Sequence, residues 1–164
     1  IDQHRAHIRI LFDQYVENIR QQKGVSQRLL FPEIVEFTPT ECAMLPLLLD
    51  RLHYIGFELS DWGNGSYAIN GLPSGVDQLN PAALLKDIVA FAIETDSRAD
   101  DQICCSLALS LAKAAAIQPG KLLSADEMEH LIASLFSASD PNLTPDGKTI
   151  LTIITHEELE KRFR

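Results

Sequence analysis

Asp2, Gln3, His4 and His7 stand close together where a helical pattern begins, with Asp13 further along the same pattern. A carboxylate beside an imidazole is the donor pair from which hydrolytic metal sites are built, once further His, Cys or acidic ligands join it. His4 and His7 fall on one helical face. A His-x-x-His pair on a helix serves equally well as a capping or surface pair that binds no metal. Asp146 is a hard oxygen donor that could join Asp2 around a cation. Cys104 and Cys105 are adjacent, so on a helix they point about 100° apart and do not converge on one ligand position. They are expected to be buried as small hydrophobes. The chain carries no Ser–His–Asp arrangement, phosphate-binding glycine loop or zinc-ribbon spacing.

The elements that must position these groups can be read from periodicity. Ile8, Phe12, Tyr15 and Ile19 recur at helical spacing and predict an amphipathic helix from about Asp2 to Gln21, ended by Gly24. Leu29 to Phe37 reads as strand or extended chain, interrupted by Pro32. Thr38-Pro39-Thr40-Glu41 is a capping box, opening a helix with Leu45, Leu48, Leu49 and Leu52 on one face that stops at Gly56. Phe57 to Ser60 and Tyr67 to Asn70 flank Gly63-Asn64-Gly65 as a hairpin whose loop is expected to exceed two residues. Asn80-Pro81 opens the next helix. Thr95 to Asp101 reads as a loop. Ile103 to Ile117 reads as a buried helix, because it is apolar almost all round. Ser124 to Glu127 is a second capping box, before Met128, Leu131, Ile132 and Leu135. A loop from Ser137 to Thr149 leads to a short strand at Ile150 to Ile154. Thr155 to Glu158 is a third capping box, before a terminal helix. Helices exceed strands, and the strands fall in two separate groups. That predicts an α+β protein of two lobes, with the chain leaving one lobe and returning to it.

Composition limits the partners. The chain has 164 residues, 46% of them hydrophobic, which suffices for one sizeable domain or two small lobes. Its net charge of −9 gives no electrostatic footprint for a phosphate backbone, so any DNA must be held elsewhere. No apolar run is long enough to span a bilayer, so no membrane partner is expected. No secretory or transit segment opens the chain. Three cysteines without framework spacing point to reduced thiols and a cytoplasmic protein.

The opening Asp2-Gln3-His4 resembles the Asp-Gln-His-Ala motif in the C-terminal dimerization domain of the MutL family of DNA mismatch repair proteins. Further segments follow in the family's order. Gly56 to Leu59 and Tyr67 to Pro73 resemble its hairpin, and Leu123-Ser124 with Glu127-Met128 its next helix start. Asp140 to Asn142, Pro145 to Thr149 and Glu157 to Phe163 resemble its last loop, strand and helix. The resemblance covers essentially the whole chain. It implies a dimerization lobe from both chain ends, 1–24 and 101–164, and an inserted regulatory lobe, 25–100. It also implies that strands precede the opening motif and that the family's ATPase lies in an N-terminal part outside this sequence.

In many members the motif continues to two Glu residues and supplies metal ligands for a DNA-nicking nuclease. Here Arg5 replaces Ala, Ile8 replaces the first Glu and Asp13 the second. The family's Ala-Cys-Lys motif falls on Ala112-Lys113-Ala114, and its Cys-Pro-His-Gly motif on Thr144-Pro145-Asp146-Gly147. Asp2, His4, Ile8, Lys113, Thr144 and Asp146 therefore make a degenerate set, with too few ligands for Zn²⁺ or Mn²⁺. No cofactor, metal or catalytic residue is expected in this stretch. The alternative is a divergent metal-dependent endonuclease with rearranged ligands.

Gln27-Arg28-Leu29-Leu30-Phe31-Pro32 resembles peptides that dock onto the bacterial sliding clamp, and the family carries such a motif at this point. An extended chain with one polar anchor and apolar side chains suits a pocket. An apolar run ending in Pro suits a buried edge strand as well, and an edge strand allows both. The implied function is homodimerization and partner docking in mismatch repair. The implied partners are a second copy, a MutS-type mismatch recognition protein, the replication clamp at Gln27, Leu29, Leu30, Phe31 and Pro32, and DNA only through the full-length protein. An acidic interaction module of unrelated function would lack the ordered family segments.

Overall fold

The computed structural model describes residues 1–76, 79–94 and 100–163. It is α+β, with helices outweighing one small antiparallel sheet. The chain divides into two compact units, Ile1–Ile10 with Ile117–Arg164, and Leu11–Ala116. The divisions fall inside the first helix and just after the fourth, whereas the sequence placed the lobe boundaries near 24 and 101.

The first helix, α1 (Gln3–Gln21), follows directly on Asp2, and its residues up to Ile10 belong to the unit built from the chain ends. The Asp2 carboxylate accepts the Arg5 amide at 3.0 Å, which satisfies one of the open donors of the first turn. Ala6 on this helix packs with Leu131, Leu135 and Ile150, and Ile10, Ile117 and Leu123 close around them. Leu131 and Leu135 come from α5 (Ala125–Phe136), which Ser124 and Glu127 cap reciprocally. The loop that follows is drawn together by an isolated antiparallel bridge between Leu143 and Thr149. The short helix α6 (His156–Lys161) starts at the third capping box and buries no residue.

The strand expected at Ile150 to Ile154 does not form. Its β-branched residues favour extended backbone, but a strand needs a neighbour, and among the described residues no ladder forms there. Ile150 is buried, while Ile153 and Ile154 face solvent.

The other unit carries β1 (Ser26–Glu36), α2 (Pro39–Tyr54), β2 (Glu58–Gly63), β3 (Ser66–Pro73), α3 (Pro81–Glu94) and α4 (Asp100–Ala115). The sheet order is β1-β3-β2, so β1 is an edge. α3 packs on β1 and β3, α2 on β2 and α3, and α4 on α3. The core includes Leu45, Leu48, Leu52, Phe57, Ile69, Leu85, Ile88, Leu107 and Leu111, all inaccessible or nearly so.

Several local readings change. α1 ends at Gln21, and Gln22 takes the left-handed position with φ 54°; Lys23 N–H reaches Asn18 O and Gln22 N–H reaches Ile19 O. Gly24 is needed for close backbone approach instead, since a Cβ there would collide with His53 O. The hairpin loop has only two residues, because β2 and β3 pair up to Gly63 and Ser66. Asn64 and Gly65 both have positive φ, the pairing that matches the twist of a tight hairpin.

Of the loop expected at 95–101, residues 95–99 lie outside the described residues, and Asp100 and Asp101 already belong to α4. That helix is buried on one face only. Ile103, Leu107 and Leu111 point inward at helical spacing, so Cys105 and Lys113 face solvent and Cys104 is half-buried. The expectation of buried cysteines therefore fails for Cys105: adjacent helical residues diverge, and the stripe that packs does not include it.

Candidate functional site

Asp2, Gln3, His4 and His7 line the first turns of α1, and each is bound to a different atom. Asp2 Oδ1 caps the helix, Asp2 Oδ2 lies 3.3 Å from Arg5 Nε, and the Asp2 amide donates to Ile150 O at 2.8 Å. Gln3 Nε2 donates to Lys121 O at 2.7 Å. His4 Nδ1 lies 2.8 Å from Ile117 O and donates to it, because a carbonyl only accepts. His7 Nδ1 accepts the Ile117 amide at 2.9 Å, so its proton sits on Nε2. The His-x-x-His pair thus holds both backbone polar groups of one residue, Ile117, just beyond the end of α4. Burial, then the nearby His4 and Lys121, lower the pKa of His7 below the ordinary 6.5.

Asp146 sits in the loop after α5. Its Oδ1 accepts the Thr144 hydroxyl at 2.6 Å, and its Oδ2 lies 3.6 Å from Lys148 Nζ. The buried Thr144 hydroxyl also accepts the Lys148 amide at 2.8 Å, closing a tight turn. Ile8 is 5% exposed and offers only hydrocarbon. Lys113 faces solvent on α4, in the other compact unit. Among the described residues no group of three or more His, Cys, Asp or Glu side chains is arranged to hold a metal ion. The candidate donors are Asp2 and Asp146, each beside its own cation, and the imidazoles of His4 and His7, each with Nδ1 committed to Ile117. That set does not fit a divalent hydrolytic ion.

A cleft of about 380 Å³ opens beside His7, lined by apolar Ile10, Ile117 and Leu131 and by Lys121, Asp126 and His130. Its charges are of both signs, so it selects neither an anion nor a cation.

The Gln27–Pro32 segment lies on β1, in the other unit. Arg28 pairs with Gly71 and Glu33 with Ile69, so Leu29 to Pro32 stand opposite the single residue Asn70. Four residues against one must bulge out of the ladder. Leu30 is 93% and Phe31 84% exposed, Gln27 and Pro32 are exposed, and Leu29 is half-buried. The apolar side chains of this run therefore do not form core.

Sequence reasoning missed Arg5 and Arg9. Arg5 Nη1 donates to Thr149 O at 2.7 Å. Arg9 is buried, with Nε donating to Leu143 O at 2.9 Å and Nη1 to Ser139 Oγ at 3.2 Å. Their spacing on one helical face was the available signal.

A family model described as the MutL C terminal dimerisation domain matches residues 1–123. The chain is 66% identical over its whole length to the DNA mismatch repair protein MutL of Parabacteroides distasonis, covering 27% of that protein. It is 51% identical to the protein of the same name from Bacteroides fragilis and 49% to that from Phocaeicola vulgatus, covering all of this chain and 26% of each relative. The chain thus spans about a quarter of the length of the curated relatives it matches. No helix among the described residues is long and apolar enough to cross a membrane.

Proposed function

Because this chain belongs to the MutL family of C-terminal dimerisation domains, we propose that it self-associates and docks partners for a DNA mismatch repair protein, and that it carries no nuclease of its own. The observation that carries the first part is the outer face of α5. Met128, Ile132 and Phe136 recur every four residues and stay exposed, while Leu131 and Leu135 fill the core behind them. Ile153, Ile154, Leu159 and Phe163 add exposed apolar surface in the same unit. A stripe of this kind on a small unit is the signature of an interface, and a two-fold pairing repeats it on both copies. Dimerization through this unit would bring two full-length chains together, so that the parts outside this sequence can close around DNA and meet a MutS-type protein.

The second part is supported by the commitments of Asp2, His4 and Asp146, together with Ile8 and Thr144. A nicking nuclease would need these positions open and convergent. The clamp-docking part is supported by the bulge that lifts Leu30 and Phe31 out of an edge strand. In this reading the docking lobe is the unit carrying the sheet, and the dimer forms through the other.

Light scattering on the 164-residue chain tests the dimer. The wild-type chain should give twice the monomer mass at micromolar concentration, and Ile132→Asp should shift it to monomer with the melting temperature of the sheet unit unchanged. A wild-type monomer at high micromolar concentration would refute dimerization through this face.

A further inference from the structure

We infer that Arg5 and Arg9 are positioning residues that act as the fixed cations of the first unit, holding the 137–150 loop on α1 without any metal ion. This rests on the reading above that the opening motif is not a nuclease centre. Arg5 and Arg9 are four residues apart and so lie on one side of the helix. Between them they reach the loop at three places: Ser139 Oγ, Leu143 O and Thr149 O. Those contacts bracket the bridge between Leu143 and Thr149 and the Thr144 turn. The loop then delivers Ile150 into the core beside Ala6, where its carbonyl accepts the Asp2 amide.

Charge makes the same point. Arg5 places a guanidinium against the Asp2 carboxylate at 3.3 Å. Lys148 stands by Asp146 at 3.6 Å. Each carboxylate thus has a covalently attached counter-ion. A guanidinium stays charged at every accessible pH and donates in a fixed fork, so the attachment needs no ligand and no titration. Arg9 matters more than Arg5 because it is 8% exposed, whereas the Arg5 side chain is 41% exposed and screened by water.

Hydrogen exchange on the full-length protein tests this, read on peptides covering 140–151 and on α5 as a control. The probes are EDTA, Mn²⁺ and Zn²⁺. Wild-type exchange in the loop should be the same in all three. Arg9→Ala should speed loop exchange by roughly tenfold or more, the size expected from losing a charge-assisted hydrogen bond. Arg5→Ala should give a smaller increase, and Arg5→Lys should fall between it and wild type. In every variant, added metal should fail to restore protection. If Arg9→Ala also loosens α5, the more exposed Arg5→Ala carries the test. Slower wild-type loop exchange in Mn²⁺ or Zn²⁺ would overturn the inference, as would unchanged loop protection in Arg5→Ala. A separate nicking assay keeps the two readings apart. Manganese-dependent nicking would refute the absence of a nuclease, whereas an arginine-independent loop without nicking would refute only the lock.

Discussion

Replacing Phe31 by Ala should leave the fold almost untouched and remove most of the affinity for the replication clamp. Full burial of a Phe side chain is worth about 1.5–3 kcal/mol. Phe31 is 84% exposed, so its contribution to folding is at most about 0.5 kcal/mol. For a chain of this size that moves the melting temperature by no more than about 2 °C. Phe57, at 1% exposure, is the internal contrast. Phe57→Ala should cost about 3–5 kcal/mol and lower the melting temperature by roughly 6–20 °C. On the clamp the order reverses. If Phe31 fills an apolar pocket there, the same ~1.5–3 kcal/mol is lost from binding, which is roughly a 10- to 150-fold weaker complex. Gln27→Ala added to it should abolish detectable binding, because the peptide offers little else and a contact this small is expected to bind at about micromolar affinity or weaker. The assay is a thermal melt beside a clamp-binding titration on the same samples. Unchanged clamp affinity in a folded Phe31→Ala protein would refute docking through this bulge. A melting temperature lowered by many degrees would return the segment to a plain structural strand.

His7 gives a pH dependence with a definite sign. Its folded pKa is lowered, first by burial and then by His4 and Lys121, so the unfolded chain binds the proton more readily. Stability should be full above pH 6.5 and fall as the pH drops from there toward the lower folded value. His7→Asn, which keeps an acceptor for the Ile117 amide but cannot titrate, should flatten that slope in melts between about pH 7.5 and 5.5. Ile8→Glu should restore no manganese-dependent nicking and should lower the melting temperature, because position 8 is 5% exposed and a carboxylate there is buried without a partner. Nicking restored by that single change would refute the reading of the degenerate positions.

The sequence showed most clearly what depends on neighbours along the chain. The three capping boxes at Thr38, Ser124 and Thr155 all form, with both reciprocal bonds in place. Helical spacing located α1, α2, α3 and α5 to within a few residues, because a buried stripe recurs whatever it packs against. The Asn64-Gly65 turn was read one residue too long on its first side, because Gly63 looks like a turn residue and is the last residue of β2. The bulge at Leu29 to Pro32 was not visible, since it reflects a mismatch in register between β1 and β3 rather than any property of the hexapeptide. Cys105 was misplaced for a similar reason: composition says that α4 is apolar, but only packing says which side is used.

The same limit governs the opening motif, where a residue type was legible and its partner was not. Asp2, Gln3 and His4 invited a metal reading because those side chains can bind metals. In the folded chain each makes a bond that any helix in this position would use. Asp2 caps the first turn, Gln3 holds the Lys121 carbonyl, and His4 holds the Ile117 carbonyl. The Gln3 and His4 bonds fasten the start of α1 to the segment at Ile117–Lys121, and none of the three needs an ion. In the non-nuclease reading proposed above, the motif keeps its letters for the sake of the scaffold while the groups that would complete its chemistry are replaced. Arg5 shows the replacement at its most direct, since it supplies a positive charge to Asp2 from inside the motif itself. A cation built into the helix holds the loop as a metal ion would, but it has no open coordination position at which water could be activated. Positioning without catalysis is what the proposed role as a dimerization scaffold would require.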